Sequence, residues 1–466
     1  MTTYADPVPG GRPGDADRAE RTAEDLAARG VHGVVMSWVD TCGVNRVKTV
    51  PASRLASAAR WGVGMSPVFD LFLADDSIVT GELQGGPDGD LRLVPDLDQL
   101  APLAGQPGWA WAPVDRMTQD GTVHPVCSRS ILRHVVAAAQ EQGLEFKASI
   151  EIEFALGQAG APWPAFEPAC LGSAYGMTRL VEQTDFCAEA LAALAAEGVD
   201  VDQIHPEYAA GQYEVSVGAL DPVGAADRSV LVRQTLRAVA QKHGLRVSFS
   251  PSVLAGGVGN GGHVHLSAWR DGANLHSTGE GRYGMTAEAE SFVAGVLDAL
   301  PALAAITTPS PASYLRLQPS HWAGVYACWG HETRESALRI VTGMVGNRER
   351  AANLEVKNAD LAANPYLLLA GILAAGLDGT GRALTLPEEV TGDPAALDPA
   401  EADKRGVRRL PTSLPEAVEA FAGSPLPKAA YGDLVVDAVL AVRRGEAARC
   451  EGLDADAVAE AYRWVY

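Results

Sequence analysis

The chain has 466 residues, 47% hydrophobic and 20% charged, the balance of a globular protein of about two to three domains. Its six cysteines form no CxxC pair and no Cys/His finger, which excludes a disulfide scaffold and argues against structural zinc. Thirty-seven basic against 58 acidic residues leave a net charge of −21, which excludes a broad nucleic-acid surface and favours cationic partners such as divalent metals or amines.

Residues 1–18, rich in Pro, Gly and Asp, read as a flexible tail and not as an export signal. A short helix is expected over 21–29, ended by Gly30. The alternating run VHGVVMSWVD, the turn TCG and the run NRVKTV then predict a hairpin over 31–50. Short strands are expected at 91–94, 109–113 and 122–125, so residues 19–125 read as a small strand-rich domain. From Ser128 the pattern changes to helices alternating with strands, and 126–466 reads as one large domain. Its expected helices cover 128–143, 185–197, 225–243 and 287–303, with another from about 364 to Gly376 or Gly379. Its expected strands cover 145–156, 212–217, 246–251 and 263–269. A long surface loop over 378–412 and two closing helices, 432–443 and 455–464, complete it. The strands alternate instead of running continuously apolar, which points to an antiparallel sheet in an α+β fold. No stretch reads as a membrane span, so the expected location is the cytoplasm, with neither membrane nor nucleic acid as partner.

Five segments carry chemistry. Glu151-Ile-Glu153 lies in an expected strand, where residues two apart share a face, and two like charges so close call for a cation between them. In HPEYAAGQYEV, Glu207 and Glu214 flank Gly211, a bend between extended pieces. In GNGGHVHLSAW, His263 and His265 share a strand face behind a glycine loop that a ligand can approach closely. Arg316, Arg334 and Arg339 fall in a Pro- and Gly-punctuated stretch, and arginine suits carboxylate or phosphate. Glu355 and Lys357 share a face just before Asn364-Pro365 opens a helix. Oxygen ligands with an imidazole suit magnesium or manganese, and such metals beside arginines suit phosphoryl transfer.

With these five motifs in this order, the chain resembles the glutamine synthetase family over nearly its whole length after the tail. The resemblance implies a small N-terminal β-grasp domain, a large catalytic domain with an antiparallel sheet flanked by helices, and a homo-oligomeric ring. That ring would be commonly a dodecamer of two stacked hexamers, with active sites between subunits. It implies that Glu153, Glu207 and Glu214 hold one metal and that Glu151, His263 and Glu355 hold another, with Mg2+ or Mn2+ as the ion. His265 would meet the phosphates of the co-substrate ATP and Ser267 would lie close to it. Asn260, Gly261 and Arg316 would bind glutamate, and Arg334 and Arg339 would bind phosphate and stabilise its transfer. Lys357 stands where the family usually has arginine and lacks its bidentate fork.

Two departures bear on the amine. Ser66, in GMSPVFD, aligns with the aspartate that helps bind and deprotonate ammonium, and Trp322, in PSHWAG, with the flap glutamate. Both changes remove negative charge that a small cation needs, while an indole packs an alkyl chain or stacks on a cation. The nearer resemblance is thus to the family's γ-glutamylamine branch, the γ-glutamylpolyamine and γ-glutamylethanolamide synthetases. The expectation is an ATP-dependent ligase joining the γ-carboxylate of glutamate to a primary amine through γ-glutamyl phosphate. A polyamine is favoured over ethanolamine; the alternatives are an ordinary ammonium-using enzyme or a non-catalytic ring protein. Glu207 ranks first to take the amine's proton, ahead of Tyr175, which matches a family pocket tyrosine, and of Asp70. Asp75, Asp76 and His321 lie near the relevant segments as candidates for meeting a second ammonium or a hydroxyl.

Overall fold

A computed structural model describes residues 15–83, 86 and 88–466. Most of the expected tail lies outside the described residues, but Asp15–Ala28 is helical, so the first helix begins earlier than its pattern suggested. The hairpin forms as expected, Gly33–Val39 against Asn45–Pro51. Gly33–Val39 also pairs in parallel with Trp109–Met117, and Leu91–Pro95, Val63–Met65 and the two-residue Ala101–Pro102 complete that sheet. Residues 122–125 form only an isolated bridge and no strand. Strand alternation divides the hairpin's side chains between two cores. Val34, Met36 and Trp38 pack under the helices Asp15–Ala28 and Leu55–Trp61. Val39 and Trp111 turn the other way, into the main core.

The rest of the chain builds two further sheets. The four-stranded one runs Leu245–Ser248, Ile152–Gln158, Gln212–Val217, Val201–Pro206, antiparallel throughout. The other has seven strands and centres on Val264–Arg270, Asn353–Val356 and Ser336–Val341. Its pair Tyr326–His331 and Ser336–Val341 is parallel, a departure from the all-antiparallel expectation. The single strand expected over 145–156 is two: Glu145–Ile150 joins the seven-stranded sheet and Ile152–Gln158 the four-stranded one, with Glu151 as the link. The expected loop over 378–412 carries the short helix Pro399–Lys404 and a two-residue strand.

Long helices cover these sheets: Pro222–Lys242, capped by Asp221, and Pro365–Gly381, capped by Asn364. Ala287–Thr307 is long and apolar enough to cross a membrane, but 72% of its apolar window is buried inside the molecule, as a core helix requires.

One charged cluster ties the N-terminal sheet to the helices that cover the other two sheets. Arg129 donates to Asp227 at 2.7 Å and to Asp96 at 2.8 Å, and Tyr366 donates to Asp227 at 2.7 Å. Arg129 and Asp227 are almost wholly buried. Breaking a buried pair from one side strands a charge at a cost of about 3–5 kcal/mol. Arg129→Met is therefore expected to lower unfolding stability by about that amount in urea titrations. A loss no larger than the roughly 1 kcal/mol of a surface pair would show that the cluster is not such a tie.

Candidate active site

Strand register aligns the site's charges in two rows. On the four-stranded sheet Glu153 stands opposite Glu214, and Glu214 opposite His205. On the seven-stranded sheet His265 stands opposite Glu355, and Glu355 opposite Arg339. The rows meet at Glu151, whose backbone N–H donates to the carbonyl of His263 at 2.9 Å. Between them lies a cleft of about 550 Å³, lined only by residues between 151 and 357.

Gly211 and Gly261 make the close packing feasible. Gly211 bends the chain at φ +73°, and a Cβ there would sit 2.5 Å from the carbonyl oxygen of Leu156. A Cβ on Gly261 would meet the His263 ring at 2.5 Å, and the Gly261 N–H instead donates to Glu153 at 2.7 Å.

Like charges directly opposite on neighbouring strands destabilise a sheet, so Glu153 facing Glu214 in a buried cleft needs countercharge. Burial pushes the Glu153 carboxyl up, and the charges of Glu214 and Glu151 add to that. Burial likewise lifts Glu207 to about 7, against the hydrogen bond that Tyr175 donates to it at 2.6 Å. Burial also opposes ionisation of Glu151, but His265 and His263 outweigh it and hold that carboxyl well below its usual range. His263 directs Nδ1 at Glu151, 2.8 Å away, while its Nε2 is buried without a hydrogen-bond partner. Crowded carboxylates and an orphaned imidazole nitrogen are a donor set that fits divalent cations.

Ligand atoms of Glu151, His263 and Glu355 all lie within 4.8 Å of one another, the grouping expected for one cation. The grouping expected for the other is split. Glu214 gathers with His205 and Glu207 on one side and with Glu151 and Glu153 on the other. His205 was missed as a donor; its signal was present, because it lies two residues before Glu207 in an extended run and shares its face. A hydrogen bond with Glu214 raises His205 to about 9.

The cations line the opposite wall. Arg339 donates to Glu355 at 3.0 Å and to Glu332 at 2.9 Å, and Lys357 reaches Glu355 at 3.1 Å. Arg316 is buried at the cleft, donates to the carbonyl of Ala359 and leaves Nε without a partner. Arg334 is exposed at the rim. Asn260 lies just behind, accepting from Gln212 at 3.1 Å. His265 bridges Glu151 and Asn353, both at 2.9 Å, and Ser267 follows along the strand, accepting from Trp269 at 2.8 Å.

An aromatic wall closes the remaining side. Trp322 stacks on Tyr208 with ring centroids 4.4 Å apart, and Tyr175 meets Tyr208 edge-on at 5.4 Å. Trp322 is held at φ +56°, in a region bulky residues avoid, with its N–H bound to Glu335 at 3.0 Å. Tyr208 was also missed, although it adjoins Glu207. His321 lines the cleft beside Trp322.

Some candidates lie elsewhere. Ser66 caps a turn below the N-terminal sheet, accepting from Val68, and does not line the cleft. Asp70 is buried against Arg116, whose Nη1 donates to both carboxylate oxygens at 2.6 and 2.8 Å, so it is a structural group and not a proton acceptor. Asp76 pairs with Arg46 at 2.6 Å and Asp75 with Arg449 at 3.2 Å.

Residues 125–462 match the family model of the glutamine synthetase catalytic domain. The chain belongs to the glutamine synthetase family. It is 65% identical over 463 residues to the γ-glutamylpolyamine synthetase GlnA3 of Streptomyces coelicolor, covering 99% of both chains. Among solved structures, a novel glutamine synthase homolog superposes with a TM-score of 0.83 at 32% identity, covering 94% of this chain and 99% of that one. GmaS without ligand superposes with a TM-score of 0.80 at 28% identity, covering 93% and 96%. Within the glutamine synthetase family, then, this chain has the rows of charge described above and an aromatic wall over its cleft.

Proposed function

We propose that this protein is an ATP-dependent ligase that joins the γ-carboxylate of glutamate to a primary amine of a polyamine. The observation that carries this reading is the cleft itself: buried carboxylate rows and arginines at one end, stacked Trp322 and Tyr208 at the other. The 65% identity to a γ-glutamylpolyamine synthetase supports the choice of amine. Ethanolamine ranks second and ammonium third.

Glu151, His263 and Glu355 would hold one divalent cation, and Glu153, Glu207 and Glu214, with His205 beside them, another. Bound Mg2+ or Mn2+ would neutralise and orient the phosphates of ATP. Arg316, Lys357, Asn260 and Gly261 are the groups for glutamate; the unpartnered Nε of Arg316 suits a carboxylate oxygen. His265 and Ser267 set the direction in which the nucleotide lies, and Arg334 and Arg339 face its phosphates. The γ-carboxylate oxygen attacks the terminal phosphorus, ADP leaves and γ-glutamyl phosphate forms. Arg339 stabilises the charge on the moving phosphoryl group. An alkylammonium, with a pKa near ~10, then gives a proton to Glu207, the carboxylate that Tyr175 of the aromatic wall contacts. The freed amine attacks the acyl carbon and inorganic phosphate departs.

Two further points belong to this proposal. The cleft takes no residue from the N-terminal sheet, so Ser66 would reach an active site only in a neighbouring subunit, as a ring assembly would arrange. All six cysteines are unpaired, in keeping with the reducing cytoplasm.

The test is phosphate release with ATP, magnesium and glutamate against ammonium, ethanolamine, putrescine, cadaverine, spermidine and spermine. Release with the polyamines is expected; release with ammonium alone would overturn the reading. Within the same panel, Trp322→Ala should raise the polyamine KM by roughly 10- to 100-fold, the worth of one packed aromatic face. Its KM for glutamate should not change, and equal shifts in both would count against Trp322 as a wall of the amine site.

A further inference from the structure

A second cavity, of about 470 Å³, lies where the N-terminal sheet meets the helix Pro222–Lys242, and it shares no lining residue with the cleft. Arg233 and Arg237, one helical turn apart, both line it. Arg233 is 5% exposed, and its Nε is buried without a hydrogen-bond partner. Among the described residues neither guanidinium makes an ion pair. Buried Arg116 and Arg129, by contrast, have Asp70 and Asp227, and buried Arg179 and Arg463 spend their N–H groups on backbone carbonyls.

The two arginines share one ring. Their guanidinium carbons lie 5.0 and 4.9 Å from the centroid of Phe249. A cation–π contact offsets part of a charge's desolvation, but it does not neutralise two like charges. Burial draws Arg233 down to about 9, with the charge of Arg237 adding to it and Tyr466 and Asp360 only partly opposing it, and burial alone draws Arg237 down to about 10. A buried and a half-buried cation side by side, with no carboxylate in ion-pair contact, are a costly arrangement that a bound anion would relieve. The other wall is of another character: Leu103, Trp109, Trp111 and Val47 bring apolar surface to the same space.

We propose that this cavity is a second ligand site, for a small organic anion whose carboxylate or phosphate bridges Arg233 and Arg237 and whose apolar body lies along Trp109 and Trp111. Planar guanidinium forks suit both head groups, and the aromatic wall selects a ligand with a body over a bare ion. Because the walls come from both the N-terminal sheet and a catalytic-domain helix, an occupant would brace the contact between them. The inference stands apart from the ligase reading and would survive its failure.

Phenyl phosphate carries both features and is the probe, with inorganic phosphate as the head group alone. Full-length protein, its cleft filled with MgADP and glutamate, is titrated calorimetrically with each. Saturable phenyl phosphate binding is expected, with a rise in Tm. Arg237→Gln should weaken it by about tenfold or more, as loss of a charged bidentate contact does, and Arg233→Met with Arg237→Met should abolish it. A crystal of the unaltered protein soaked with phenyl phosphate should show the phosphate between the two guanidinium groups, a result independent of whether the double variant folds. No saturable binding, undiminished affinity in Arg237→Gln, or phosphate density elsewhere would overturn the site. Inorganic phosphate binding as tightly as phenyl phosphate would overturn the role of the aromatic wall.

Discussion

Glu207→Ala is expected to lose at least about 10³-fold in turnover with every amine, because one side chain serves two needs. Its carboxylate is a donor in the cluster with His205 and Glu214. It is also the acidic group at the aromatic end of the cleft, where Tyr175 donates to it at 2.6 Å. General base catalysis alone is worth about 10²–10⁴-fold, and loss of a cation ligand adds to that. The fold should survive, because removing one of several crowded carboxylates relieves repulsion instead of stranding a charge. Circular dichroism and the melting temperature check that, and phosphate release across the amine panel checks the loss. Glu207→Gln keeps the shape and a weaker oxygen ligand but cannot take a proton. It should restore part of the metal affinity and none of the amine-dependent rate. Turnover within tenfold of the parent protein in either variant would remove Glu207 from the mechanism.

What the sequence made legible was what local pattern controls. The run Gln212–Val217 alternates strictly and is a strand with the expected bounds, which put Glu214 on the cleft face. Asn364, followed by proline, marks a helix start and caps it, whereas the helix expected from 225 begins at Pro222, behind the cap Asp221. Glu151 shows where local pattern stops. Ile150 and Ile152 continue the alternation across it, so nothing local reveals that the chain changes sheets there; that step depends on which strands are waiting on either side. Asp70 failed for a related reason. Its partner Arg116 is distant in sequence, so proximity to Ser66 looked like function when the group was structural. His205 was legible by spacing alone, two residues before Glu207 in an extended run. Arg233 and Arg237 read simply as part of a helix, since the missing partner of a buried charge is visible only once the surroundings exist.

Arg339→Ala should strike the other half of the reaction. Arg339 is held by Glu355 at 3.0 Å and Glu332 at 2.9 Å, so its guanidinium is fixed before any substrate arrives. Preorganised charge of this kind costs no reorientation as the phosphoryl group moves, and an arginine so placed is worth about 10³–10⁵-fold in phosphoryl transfer. Glu355 would not be left bare, because Lys357 remains 3.1 Å away, so lost stability cannot account for a loss of that size. Arg339→Lys should recover only a part, since an ammonium keeps the charge but not the fork that spans Glu355 and Glu332. The two half-reactions separate the roles. Hydroxylamine in place of the amine traps the acyl phosphate, so trapping should fall in Arg339→Ala as steeply as amine ligation does, with the amine KM unchanged. Trapping that persists while ligation fails would place Arg339 in the second step and leave the phosphoryl transfer to other groups of the cleft.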